Sequence, residues 1–453
     1  MSQPHLRRDL NLLQATAINA IDMVGIGPFI TLSGVAAIMG GSGSIYAWLL
    51  GALLSLADGT VWASLGAKWP EAGGSYVFLQ KLFPRERGGR LMAFLFVWQT
   101  TLQAPLVVAS AAIGFAGYFR YLVPLTTLQA RFVAGGLVLT MIVLLYRDIK
   151  SIGRMSVVLG IITVGTLLWL IFSAVPSFDA AAAFPKSWSG FPTSTLFFAA
   201  LGNATTSTVY SYLGYYNVCH LGGEIKQPEK NIPRAIFISI ALIAVLYLAM
   251  QTAVAGVLPA AAIAESKFVV SLYFEKLYNA GVAKIATGLI LVIALASLFS
   301  VLLGYSRIPY AAAKGGDYFP VFAKLHPTKN FPHLSLLTIG GIGFLLSIAF
   351  TEKPAAVIKA IVIMRILVQF IAQAVGLIRY RQLNPGAAMP WKMPLYPIPA
   401  ILSILIWGFL FCTADFPFIL GSVTVITAGI VLYFIFLHGR PSNPESTEAE
   451  TGQ

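Results

Sequence analysis

Charge is what this sequence has least of. Only 10% of its 453 residues are Asp, Glu, Lys or Arg, where a soluble domain carries about 25%. Cysteine is scarce as well. Cys219 and Cys412 each stand alone in an apolar stretch, which excludes a disulfide framework and the paired spacing of a zinc site. His326 and His333 also lack ligand spacing, so no metal site is expected. There is no P-loop, no strand-led glycine-rich loop and no nucleophile–base pair, so neither phosphate cradling nor covalent catalysis is expected. The N-terminus, MSQPHLRRDLNLL, has no signal-peptide cleavage pattern, and the first apolar segment is expected to remain as a membrane helix. The polar end RPSNPESTEAETGQ reads as a disordered tail.

What the chain does have is hydrophobicity: 57% of its residues and a mean hydropathy of +0.80. Apolar stretches long enough to cross ~30 Å of hydrocarbon recur from end to end. They do not alternate with polar residues, as the strands of a membrane barrel would. The fold expected is all-α and integral to the membrane. Its twelve transmembrane helices fall near 12–38, 45–67, 91–119, 128–146, 152–175, 192–221, 233–258, 283–313, 333–350, 354–380, 395–414 and 416–438. A short segment 1–11 precedes a core of ten helices (12–382), a final pair (383–438) and the tail 439–453.

The net charge of +13 could suggest nucleic acid, but the positions of the charges argue for topology. With the N-terminus in the cytoplasm, 21 of the 30 Lys and Arg fall in inner segments or the span ends beside them and eight in or beside outer loops, and only Arg365 lies deep within a span. That is the positive-inside pattern. Both termini are expected in the cytoplasm and the basic excess against anionic lipid.

Two spans carry clusters unsuited to a continuous helix: VGIGPF (Val24–Phe29) in the first and YSYLGYYN (Tyr210–Asn217) in the sixth. Pro28 cannot donate a backbone hydrogen bond and clashes with the preceding turn. Unwound backbone at membrane depth is tolerated only inside protein or beside a water-filled cavity. The breaks lie five spans apart, the spacing expected of two inverted five-helix halves, and paired breaks of this kind point to a transporter site near the midplane. Freed N–H groups of one half-helix can hold an anion, and freed carbonyls of the other can hold an ammonium. A zwitterion suits that pair. Simple kinking by glycine and proline is the plainer explanation for either break alone.

Four stretches then resemble one family. GGEIKQPEKNIPRAI (Gly222–Ile236) is similar to the loop after the sixth helix of amino-acid permeases in the amino acid–polyamine–organocation superfamily, with Glu224, Gln227-Pro228 and Asn231-Ile232-Pro233-Arg234 in its pattern. GIGPFI resembles the family's helix-one break, WPEAGGSYVFLQ (Trp69–Gln80) its loop after helix two, and SRIPYAAAKGGDYFP (Ser306–Pro320) its Ser-Arg segment ending helix eight. The branch it most resembles is the L-amino-acid transporter type. The resemblance implies a LeuT-type 5+5 inverted repeat plus two C-terminal helices. It implies that Ile26 and Gly27 donate to a substrate carboxylate, and that carbonyls at Met23, Tyr210 and Leu213 receive its α-amino group. It makes Tyr210 an aromatic gate and Ser297 a hydroxyl of a second sodium site. The function implied is secondary transport of amino acids by symport or exchange, with alternating access. A polyamine or organic-amine carrier and a non-transporting sensor are the alternatives. No cofactor is expected beyond a coupling ion, proton or sodium.

The chain departs from that family in three places. Thr166 stands where proton-coupled or sodium-independent members often carry a lysine on helix five, and it could join Ser297 and the carbonyls of Ile21 and Val24 around sodium. Pro28 removes one donor from the anion-binding backbone. Asp22 is an acid inside a span, a functional candidate by position: it could relay a proton, attract a second amine, cap the half-helix or pair with a basic neighbour. Arg365, Gln369 and Gln373 follow at i, i+4 and i+8, giving one polar face on helix ten. Arg365 could be an outer gate, a partner of Asp22 or part of a structural polar pair. Gln99 and Gln103 could face a side-chain pocket or join helices. Asp58 is expected only to hydrogen-bond between helices.

Overall fold

The computed structural model describes residues 6–83, 88–184, 194–349 and 354–437. The tail 439–453 lies outside the described residues, as do Arg85, Arg87, Lys186, Lys353 and Arg440 of the charge pattern. Among the described residues the regular structure is helical, with only two isolated β-bridges.

The first span is split into α1 (Leu12–Met23) and α2 (Gly27–Met39), bent by 42° at the break. A capping box starts α1: the Asn11 side chain accepts from Gln14 N, and Gln14 Oε1 accepts from Asn11 N. Then come α3 (Ser44–Lys68), the short α4 (Ser75–Leu82), α5 (Gly89–Leu122), α6 (Thr127–Leu145), α7 (Ile149–Ser173) and a single turn, α8 (Ala180–Ala183). The sixth span divides into α9 (Thr195–Tyr212) and the one-turn α10 (Asn217–His220). It is followed by α11 (Pro228–Val257), α12 (Ala260–Glu265), α13 (Val269–Leu277), α14 (Ala280–Tyr305), α15 (Arg307–Lys314) and α16 (His333–Ala349). The tenth expected span is α17 (Pro354–Arg365), a π-helical segment over Ile366–Ile371, and α18 (Ala372–Leu383). α19 (Ile398–Cys412) and α20 (Phe416–Phe436) close the chain.

Among the described residues eight helices, counting α17–α18 as one and α14–α15 as one, are long and apolar enough to cross a bilayer, and the bent α1–α2 pair makes a ninth; α16 and α19 are shorter apolar helices. Large apolar side chains such as Val143, Phe172, Leu196 and Leu405 are exposed on the outside, a surface suited to lipid rather than water. Inside, α1 packs on α7, α11 and α14, and α3 packs on α9, α11 and α19.

Three of the four stretches that carry the resemblance meet at one end of the bundle. Glu224 and Arg307, from two of them, form a buried bidentate pair: Arg307 Nη2 to Glu224 Oε1 at 2.8 Å and Nε to Oε2 at 2.9 Å. Glu224 O also accepts from Leu10 N at 3.0 Å, which pins the segment before α1. Trp69–Gln80 is tied to Ser306–Pro320 in the same way: the Tyr76 hydroxyl donates to Asp317 at 2.8 Å, and Arg90 Nε joins the same carboxylate at 2.6 Å.

Candidate substrate site

Both breaks are present, and they face each other. The last bond of α1 runs from Val24 N to Ala20 O, and Ile30 N to Ile26 O already belongs to α2. The N–H groups of Gly25, Ile26 and Gly27 fall between the two ladders and have no acceptor within either helix. In the sixth span, Leu213 N closes α9 on Val209 O, and the chain then turns through Gly214 at φ +121°. A Cβ at Gly214 would lie 2.8 Å from Met23 N and 2.9 Å from the Asp22 carbonyl carbon. Only glycine combines that backbone angle with so close an approach.

Side chains hold the two breaks in register. Asn19 Nδ2 donates to Tyr215 O at 2.5 Å, and Asn19 Oδ1 accepts from Val218 N at 2.9 Å. The Tyr247 hydroxyl, on α11, donates to Met23 O at 2.7 Å and to Ser211 O at 3.2 Å. These satisfy groups that unwinding would otherwise leave bare in a buried place.

Between the breaks lies a cavity of about 570 Å³ with its open mouth included. Its wall brings together Asp22, Met23, Ile26, Gly27, Tyr210, Leu213, Ser297 and Arg365, eight of the nine residues expected from the sequence. The ninth, Thr166, is not on that wall. It is buried on α7, and its hydroxyl donates to Ile162 O at 2.8 Å, one turn back on its own helix. Ser297 Oγ reaches the carbonyl of Asp22 at 3.4 Å and packs on Gly25. No group of three or more His, Cys, Asp and Glu capable of holding a metal occurs among the described residues.

Tyr210 lies flat against the first break, and its hydroxyl is 3.5 Å from Ser110 Oγ on α5. Arg365 is buried at the point where α17 gives way to the π-helical segment. Its Nε donates to Gln369 Oε1 at 2.5 Å and its Nη1 to the Tyr305 hydroxyl at 3.2 Å, and the guanidinium sits 5.1 Å from the Tyr216 ring centre. No ion pair joins it to Asp22 among the described residues, although both line the cavity. Gln99 joins helices instead of facing the pocket: its Nε2 donates to Met364 O at 2.9 Å, beside the π-helical segment. Gln103 lies 3.5 Å from the Tyr305 hydroxyl.

A model of the amino acid permease family matches residues 10–437. The chain belongs to that family. It thus falls within the amino acid–polyamine–organocation superfamily, which includes the L-amino-acid transporter-like members, and it is a multi-pass membrane protein. It is 25% identical to the branched-chain amino acid permease BcaP of Bacillus subtilis, over 95% of this chain and 93% of that one. It is 26% identical to the human cystine/glutamate transporter, over 95% and 86%. It is 25% identical to mouse cationic amino acid transporter 4, over 84% of this chain and 61% of that longer protein.

For this permease, sequence reasoning had missed Tyr216 and Tyr305, which cage the Arg365 guanidinium from α10 and α14. The run of tyrosines around the second break was the available signal.

Proposed function

We propose that this permease is a secondary transporter that moves amino acids across the cytoplasmic membrane by alternating access, as a symporter or an exchanger. The observation that carries this reading is the opposition of two unwound backbone segments across one buried cavity. Free N–H groups at the head of α2 suit a carboxylate. Carbonyls at the end of α1 and in the second break suit an ammonium, although the carbonyl of Met23 would share it with the Tyr247 hydroxyl. Relatives named for branched-chain and cationic amino acids, and for cystine and glutamate, support the substrate class.

In this reading twelve spans cross the membrane with both termini in the cytoplasm. Spans one to ten form the inverted repeat, and the last two are appended. Tyr210 closes over the substrate, Arg365 guards the opposite wall, and Asp22 with Ser297 serves the coupling ion, proton or sodium. The bundle of spans 1, 2, 6 and 7 rocks against the rest around the fixed site.

One observation favours a second reading. Asp22 lines the cavity without an ion-pair partner among the described residues, and Pro28 removes a donor from the anion-binding backbone, which together suit a polyamine or organic amine. Counterflow in proteoliposomes with labelled alanine, leucine, arginine and putrescine, with and without sodium and a pH gradient, separates the two. Exchange of the amino acids supports the first reading, and exchange of putrescine alone overturns it. Binding without exchange identifies a sensor.

A further inference from the structure

The transport reading uses only Arg365 from the polar face of the tenth span. Arg365 stands on the cavity wall, and Gln369 and Gln373 follow it down the helix at successive four-residue steps. All three are buried, with 3%, 1% and 1% of their surface exposed. Their acceptor atoms are occupied. Gln369 Oε1 takes the Arg365 guanidinium, and Gln373 Oε1 takes the Ser75 hydroxyl at 2.8 Å. Their donors are not: among the described residues Gln369 Nε2 and Gln373 Nε2 have no hydrogen-bond partner. The equally buried His220 meets Gly73 O through Nδ1 at 3.4 Å, which makes Nδ1 the N–H of a neutral ring and leaves Nε2 an acceptor.

These groups belong to one locality. The His220 ring centre lies 6.2 Å from that of Tyr305 and 5.8 Å from that of Tyr216, the two tyrosines that flank Arg365. A Cβ at Gly74, next to Ser75, would collide with His220. The file thus runs from the cavity to the start of α4. It lies between α3, α4 and α10 on one side and α5, α14 and the tenth span on the other, and that is the boundary across which a rocking bundle slides. A buried amide N–H₂ without an acceptor costs about 1–3 kcal/mol. Native structures retain such groups where a water or a ligand completes them. A π-helical segment inside a spanning helix is likewise a common mark of a functional site.

We propose that Arg365, Gln369 and Gln373 form a ladder of hydrogen-bond donors along which the substrate's carboxylate descends from the cavity to the cytoplasmic face. This rests on the amino-acid reading above. A file of donors headed by a guanidinium disfavours a passing proton or sodium and favours a carboxylate. The ladder is shut here, and the bundle's movement would open it.

Glutamate at either glutamine position keeps the acceptor that holds Arg365 or Ser75, removes the amide donor and adds a negative charge that opposes a passing carboxylate. Gln369→Glu and Gln373→Glu are therefore compared with Gln369→Leu, Gln373→Leu and the wild type in proteoliposomes. The probe is whichever of L-alanine, L-leucine and L-arginine the wild type binds most tightly. Equilibrium binding and counterflow turnover are both measured. The ladder predicts a Kd within about twofold of wild type and a turnover lowered about tenfold in both Glu variants, a ΔΔG‡ of about 1.4 kcal/mol. Wild-type turnover in both Glu variants, with only the Leu variants impaired, would show that the side chains merely brace the helix and would overturn the ladder alone. If the wild type neither binds nor exchanges any of the three probes, the amino-acid reading falls and takes the ladder with it.

Discussion

The Tyr210 ring lies directly on Gly27. A Cβ built on this glycine would sit 3.0 Å from Tyr210 Cε1 and 3.1 Å from Cδ1. The contact joins the two interrupted spans at the point where one offers free N–H groups and the other an aromatic cover. It requires the absence of a side chain at 27.

Gly27→Ala should therefore force the ring outward by a few tenths of an ångström. Overpacking of this kind costs about 1–3 kcal/mol, and uptake should fall about 5- to 100-fold while the protein still reaches the membrane. Uptake kinetics normalised to surface expression check this.

Tyr210→Phe removes only the long 3.5 Å contact with Ser110 and should leave uptake within about threefold of wild type, since a hydrogen bond contributes about 0.5–1.5 kcal/mol. Tyr210→Ala removes the cover itself and should lower substrate retention much further. The two variants are compared by the rate at which bound label dissociates from purified protein.

Tyr247→Phe should leave two buried carbonyls, Met23 O and Ser211 O, short of a donor. The expected loss is about 1–3 kcal/mol of stability, read as a lower melting temperature in detergent. The same variant should weaken substrate binding, because the geometry of the first break depends on that hydroxyl.

Glu224→Ala strands the Arg307 guanidinium in a place where it is 2% exposed. Breaking a buried pair costs about 3–5 kcal/mol. The double variant Glu224→Leu with Arg307→Leu should cost less than the two single losses added together. A thermal-unfolding double-mutant cycle measures the difference.

How much of this could be read from the sequence depends on where each signal resides. The breaks were legible because glycine and proline write their effect locally, at Gly25, Gly27, Pro28 and Gly214. The polar face of the tenth span was legible from the four-residue spacing of Arg365, Gln369 and Gln373. The π-helical segment that follows Arg365 was not, since no residue in ILVQFI demands it. Helix α4 was hidden by its length of eight residues, which gives too little periodicity beside the glycine turn that introduces it. The surroundings of Asp58 were out of reach for another reason. Its oxygens accept from Trp62, four residues away, but also from Tyr215, 157 residues on, and Ser403, 345 residues on. An inter-helix bond was expected there, but its partners exist only in three dimensions. The same holds for Thr166: helical register put it on α7, but whether its hydroxyl turns to the cavity or back to Ile162 is decided by packing.

The most direct test of the central claim is equilibrium binding of labelled amino acid to purified wild-type protein and to Gly27→Leu, with thermal unfolding followed in parallel. Two facing breaks that grip the substrate through bare backbone predict saturable binding in the wild type and none in the variant, which should still unfold cooperatively at a lowered melting temperature. Equal binding by both proteins would contradict the account.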